Sequence, residues 1–381
     1  MFRVLVRTST IAALLSSPGT IGYTQQYSPL VRNAAPNENF WPVVGSHNGP
    51  GRAEHAKRTL RSQPGALPGH QGQSPWLAPQ PAMPRARYEQ MWKELSNWGR
   101  WGKDDQLGAL NLITPAKRQQ AFALAKSGTH MSLGHDALTP PFQLKMSIVP
   151  DNSAPMPRIS DRVEIDFHGG SYTHLDALCH IAYNHRLFNG YVLKDTVNTS
   201  DGCAKDSVMT MKDGIVTRAI LVDIPRLRGV RYLEPGTRVT RAEVEAWEKR
   251  ANIRIGPGDA VLLRTGRWAR PEQSSTPGSA GSAGWDVWGV PLFKERDIAV
   301  LGSDHAQEVA NNIEPPVDRL TVTAIHKAVG NAMGVAILDN LDLEQAAEAA
   351  ARLNRWEFML VVAPLRVPNG SGSPVNPIGF F

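Results

Sequence analysis

The amino-acid sequence predicts a mixed α/β domain behind a disordered N-terminal extension, and three observations carry that prediction. Apolar runs at residues 219–224, 260–263, 298–301 and 358–362 have strand length and are continuous enough to be buried on both sides. Stretches with helical spacing and helix-start signals lie between them, as in a fold of strands interspersed with helices. Upstream, residues 25–84 are rich in Pro, Gly, Gln, Ser and Asn with no sustained apolar period, so they cannot bury enough apolar surface to offset their chain entropy.

Residues 1–24 open with Arg3 and Arg7, pass through a short apolar run at 10–15 and end on small residues, too short for a permanent membrane anchor. They read as a secretory signal peptide, with an organellar transit peptide or an uncleaved tail as alternatives. Secretion is the expected localisation; a cytoplasmic or organellar one is the alternative. Residues 25–84 read as a linker or a loose wrap, from which Trp41, Trp76 or Leu77 could dock on the domain expected over residues 85–381.

That domain should open with a helix, since Tyr88, Met91, Trp92 and Leu95 follow helical spacing and Gly99 is placed to end it. After an aromatic-rich loop at 98–112, Thr114 and Pro115 supply a cap and a first-turn proline, with Gly128 as the stop. Val163, Ile165 and Phe167 alternate with polar residues, predicting a strand with one buried face that hands His168 to the polar side. Thr240-Arg241-Ala242-Glu243 is a capping box for a helix through Trp247, and residues 343–353 form an alanine-rich amphipathic helix. Residues 271–284 should be a mobile Ser/Gly/Pro loop, and residues 370–373, without the lysine of a phosphate loop, a turn. No internal repeat and no transmembrane span is found.

The chain of 381 residues carries a formal net charge of +6, but residues 1–88 hold nine Lys/Arg against two Glu, a net of +7 that leaves −1 for the remainder. The folded part therefore offers no nucleic-acid surface. Two cysteines, Cys179 and Cys203, are too few for a disulfide framework; one bridge is open, and Cys179 reads as a small buried hydrophobe ahead of a soft ligand or nucleophile.

The chemistry concentrates in residues 166–180, where His168, His174, His180, Asp166 and Asp176 are interleaved with glycines and small residues. An extended backbone at 173–176 points His174 and Asp176 to the same side, and a helical turn after it brings His180 beside Asp176. Imidazole and carboxylate together suit a borderline divalent ion, zinc or manganese, with a position left open for water. His180 suits proton transfer outside the ligand set. His326 and Asp339 could close the site from a distance, the alternative for Asp339 to Asp342 being helix caps. Asp304-His305 follows a buried strand, a place where ligands bind in α/β folds, with a loop hydrogen-bonding pair as the equal alternative. His185, beside Arg186, is expected on the surface.

The segment Thr173-His174-Leu175-Asp176-Ala177-Leu178-Cys179-His180 resembles the H-x-G-T-H-x-D-x-x-x-H signature of the metal-dependent cyclase family, which includes kynurenine formamidases and isatin hydrolases. Further agreement lies at residues 101–111, 232–237, 264–268, 301–304, 338–343 and 363–366, so the likeness runs from about Trp98 to the C-terminus. The resemblance implies a swivelling β/β/α-type fold, a metal held by His174 and Asp176, His180 as acid/base, and His326 and Asp339 as the late histidine and carboxylate, Asp standing where the formamidases have Glu. The family's first histidine falls on Gly170, and His168 substitutes if Gly169-Gly170 bulges. The function implied is hydrolysis of a carbon–nitrogen bond in a small amide, formamide or lactam by metal-activated water, the formamidase branch belonging to tryptophan catabolism. The alternatives are a cyclase or dehydratase acting on a polyketide-like substrate, and a catalytically silent binding protein. The expected partners are a small-molecule substrate and further copies of the chain as a homo-oligomer, with no nucleic acid and no membrane.

Overall fold

The computed structural model describes residues 80–136, 142–149, 151, 153, 155–170, 172–271, 281–310, 312–314 and 323–381. The expected leader, the docking of Trp41, Trp76 and Leu77, and most of the loop at 271–284 lie outside the described residues. The last residues of the expected linker do not fit that reading. Met83–Pro84 pairs in parallel with Ile313–Glu314, Met83 is buried, and Trp288 Nε1 donates to Pro81 O at 2.9 Å, so the packed domain takes in residues from 80 onward.

All four apolar runs become strands: Ile215–Asp223, Ala260–Arg264, Val300–Ser303 and Glu357–Val362. They belong to a nine-stranded sheet in the order Gly372–Pro374, His174–Asp176, Ala336–Asp339, Val300–Ser303, Ala260–Arg264, Ile215–Asp223, Glu357–Val362, Ile378–Phe380, His130–Ser132. The four central strands are parallel and buried almost throughout, as expected when helices cover such a sheet. Pro115–Phe122, Arg241–Ala251 and Glu344–Leu353 pack on the Ile215–Asp223 strand. Glu357–Val362 is fully buried only at Phe358, Leu360 and Val362, because it is antiparallel and its other face is half open.

Local signals hold where side chain and backbone agree. Thr240 and Glu243 form the capping box, and Trp247 is buried with Nε1 on Leu221 O at 2.8 Å. Thr114 caps Pro115–Phe122. The first helix, Arg85–Leu95, ends before Gly99, because the Asn97 N–H and amide are drawn to Ala332 O and Met333 O. A tertiary contact ends that helix.

Three further expectations are corrected. The strand before His168 pairs only with Gln143–Val149, forming a two-stranded arm, Arg158–Glu164 being its second strand; Val163 is 53% exposed, so the arm has no buried face among the described residues. Residues 370–373 are not merely a turn, since Gly372–Pro374 is an edge strand against His174–Asp176. Cys179 is neither free nor a ligand: it is bridged to Cys203 with Cα atoms 6.4 Å apart. No helix of the described residues is long and apolar enough to cross a membrane.

Candidate metal centre

Three donors are brought together by strand geometry alone. His174–Asp176 is a strand, so His174 and Asp176 share a face, and antiparallel pairing sets Asp339 directly opposite His174. Asp339 is the last residue of a parallel strand, at the end of the sheet where α/β folds place ligands. After Asp176 the chain makes a turn rather than the expected helix, closed by His180 N–H on Ala177 O at 2.9 Å. The turn still returns His180 Nε2 to 3.8 Å from Asp176 Oδ2.

The other two histidines come from elsewhere. His326 ends the short helix Ala324–His326 and leads into the π-helical turn Lys327–Ala332, a distortion frequent at functional sites. Its Nε2 lies 3.2 Å from Asp339 Oδ2 and 3.5 Å from Asp176 Oδ2. His168 Nδ1 lies 3.0 Å from Asp176 Oδ1, and its ring stacks on His180 at 3.8 Å. His174 Nε2 completes the cluster, 3.5 Å from Asp176 Oδ1 and 4.0 Å from Asp339 Oδ2. Five of the residues singled out in the sequence, His168, His174, His180, His326 and Asp339, thus gather around a sixth, Asp176.

The tautomers suit ligation. His174 Nδ1 sits 2.7 Å from Tyr172 O and His326 Nδ1 3.0 Å from Glu308 Oε1; a neutral ring that donates its N–H there turns the Nε2 lone pair toward the cluster. Asp176 is buried, and neither of its oxygens has a partner in hydrogen-bonding geometry, despite the imidazoles packed around it. A buried carboxylate costs heavily unless something neutralises it. A divalent cation fits this donor set. Two groups have donor atoms within 4.8 Å of one another, His168 with Asp176 and His180, and His174 with Asp176 and Asp339, so Asp176 is common to both and His180 itself stands among the potential ligands. His174, Asp176, His326 and Asp339 are buried, whereas the side chains of His168 and His180 are 27% and 25% exposed. The cluster therefore opens to solvent on the His168/His180 side.

A family model described as "Putative cyclase" matches residues 100–308. The chain belongs to this cyclase family. A solved structure described as a novel cyclase is similar to it with a TM-score of 0.67 at 29% identity, covering 76% of this chain and 99% of that one. Isatin hydrolase A from Labrenzia aggregata is also similar, with a TM-score of 0.48 at 19% identity over 68% of this chain and 97% of its own. No curated protein matches the chain.

In this family member, charge follows the geometry. Burial works to raise the Asp176 pKa, but the surrounding imidazoles, His180 foremost, hold it well below the usual carboxylate range. Burial likewise disfavours charge on His326, yet Asp339, Asp176 and Glu308 hold its pKa well above the ordinary histidine value. At His180 burial wins over the attraction of Asp176 and lowers the pKa to about 4. His180 is thus neutral near pH 7 and available as a base.

The remaining candidates are structural. Asp304 accepts from the N–H groups of Thr265, Gly266 and Arg267, and His305 Nδ1 meets Ser282 Oγ at 3.2 Å, so this pair is the loop hydrogen-bonding alternative. Asp342 caps Glu344 N–H and contacts His135, which separates it from Asp339. His185 is exposed. Two supporting residues escaped the sequence: Glu308 behind His326, and Gln307, whose Nε2 donates to Asp339 Oδ1 at 2.9 Å. Their one legible signal was their place just beyond a buried strand end.

Proposed function

We propose that the protein is a metal-dependent hydrolase that cleaves the carbon–nitrogen bond of a small amide, formamide or lactam. The observation that carries this is the buried Asp176 carboxylate ringed by four imidazoles and Asp339, closed on the inside and open at His168 and His180. His174, Asp176, His326, Asp339 and His168 would hold the ion. When bound, a divalent ion such as zinc or manganese polarises a carbonyl oxygen and lowers the pKa of a water molecule toward about 7.

The protein's own groups do the rest. His180, neutral and at the open rim, accepts the proton that water gives up as its oxygen bonds to the carbonyl carbon, and delivers it to the nitrogen as the C–N bond breaks. Asp176 Oδ2, 3.8 Å away, favours the imidazolium that exists between those two transfers. On the deep side His174, His326 and Asp339 are buried, and Tyr172 O, Glu308 and Gln307 take up the polar atoms they turn away from the cluster.

The test is turnover of a formyl-aniline or isatin-type substrate by the full chain, before and after chelation and in His180→Ala. Loss in both, with a product heavier by one water, is expected; unchanged turnover in both overturns the reading, and a product lighter by one water makes the enzyme a dehydrating cyclase. We also propose that the domain works in an oxidising compartment, which the Cys179–Cys203 bridge supports together with the signal-like first 24 residues. A thiol titration of protein taken from its native host checks this; two free thiols contradict it.

A further inference from the structure

The histidine that serves in place of the family's first one sits two residues early, and something must hold the extra backbone. Gly169 has φ +128°, a conformation that side-chain-bearing residues rarely adopt, so the chain leaves the extended path there. The two carbonyls of this detour are each captured by a side chain from a different strand end. Arg267 Nη2 donates to Gly170 O at 2.5 Å, and Asn340 Nδ2 donates to Gly169 O at 2.6 Å and to Tyr172 O at 2.9 Å. Arg267 Nη1 also donates to Asn340 Oδ1 at 2.7 Å, tying the two together.

Each arm of the clamp is itself fixed. Arg267 stacks on Trp268 at 4.3 Å, donates to Asp304 O at 3.3 Å, and has its own N–H on the buried Asp304 carboxylate. Asn340 has φ +57°, its N–H on His305 O and its carbonyl on Thr173 Oγ1. Among the described residues Arg267 has no salt bridge: a guanidinium largely withdrawn from water is spent on neutral oxygens. Asp304 and Asp339 favour its charge through space, while its side-chain donors go to the oxygens of the detour and its supports.

We infer that Arg267 and Asn340 are positioning residues that fold the Gly169-Gly170 detour and thereby present His168 to the metal centre. The far side of the imidazole is fixed by Ser371 Oγ, 3.0 Å from His168 Nε2, and by Gly372, where a Cβ would stand 2.9 Å from His168 Cε1. The inference rests on the metal-site reading above.

The experiment is a double-mutant cycle on metal affinity, titrating the metal-free full chain with Zn²⁺ and with Mn²⁺ by calorimetry. Arg267→Met removes the fork, and Asn340→Gly removes the amide while keeping the positive φ; each is made with and without His168→Ala. Each clamp variant is expected to weaken binding about 10- to 100-fold, as loss of a group supporting a ligand does, and by less than about twofold once His168 is absent. Should Arg267→Met fail to fold, Asn340→Gly carries the same cycle. Equal losses with and without His168, or a His168→Ala chain that binds as tightly as the wild type, overturn the clamp and leave the metal site standing. A wild-type chain that binds neither ion overturns both.

Discussion

Replacing Glu308 isolates how a buried carboxylate that never faces the ion can govern it. Glu308 Oε1 receives both the backbone N–H and Nδ1 of His326 at 3.0 Å, which holds the ring with Nε2 toward Asp176 and Asp339. Glu308→Gln keeps an oxygen for those donors but removes the charge. Removing the partner of a metal-ligating histidine costs about 10- to 100-fold in affinity, or about 1.4 to 2.8 kcal/mol. Glu308→Ala in addition strands two buried donors, at about 1 to 3 kcal/mol each, and should lower the urea midpoint as well. The sign depends on pH, because Glu308 also helps keep His326 protonated. Its loss eases competition from the proton, which offsets the weaker ligation at low pH. The full loss should therefore emerge as pH rises, in calorimetric titrations with Zn²⁺ or Mn²⁺ from pH 6 to 9. An unchanged Kd across that range in Glu308→Gln, alongside a clear loss in His326→Ala, would refute the reasoning.

Gly372→Ala would put a Cβ 2.6 Å from Leu175 O, a backbone atom that cannot step aside, and 2.9 Å from His168 Cε1; a loss of about 1 to 3 kcal/mol in urea unfolding is expected, together with weaker metal binding. Because the His326 pKa is raised in the metal-free chain, metal binding must displace its proton, so affinity should rise with pH by up to about tenfold per unit, with protons released in buffers of differing ionisation enthalpy. A pH-independent Kd would contradict that protonation state. His305 is buried and its pKa falls to about 3 from an ordinary 6.5, first through burial and then through Arg267 and Arg270. Between those values the unfolded chain takes up a proton that the folded chain refuses, so this contribution to stability is complete above about pH 6.5 and declines as pH falls, at up to about 1.4 kcal/mol per unit. Urea midpoints of wild type and His305→Gln should diverge less at pH 4.5 than at pH 7.

Much of the centre was legible because its chemistry is local. The two-residue spacing of His174 and Asp176 fixes a common face in any strand, and the return of His180 within four residues needs only a turn, so a turn served where a helix was expected. The apolar runs were equally plain, since strands buried on both faces need uninterrupted Val, Ile, Leu and Ala. The arm at residues 158–164 misled, because alternation marks a strand without saying whether anything covers its apolar side.

By itself, then, the sequence determined the four long apolar strands, the capped helices, the family, and the residue types gathered around Asp176. Only the tertiary structure decided that Cys179 is bridged, that residues 372–374 form an edge strand beside the site, and that Glu308, Gln307, Arg267 and Asn340 hold the donors in place. The reason is physical. A side chain's chemistry is written in its own atoms, but the aim of His326 and His168 depends on hydrogen bonds from residues 18 and 203 positions away, and no local pattern encodes which distant atoms the packed sheet will bring so close.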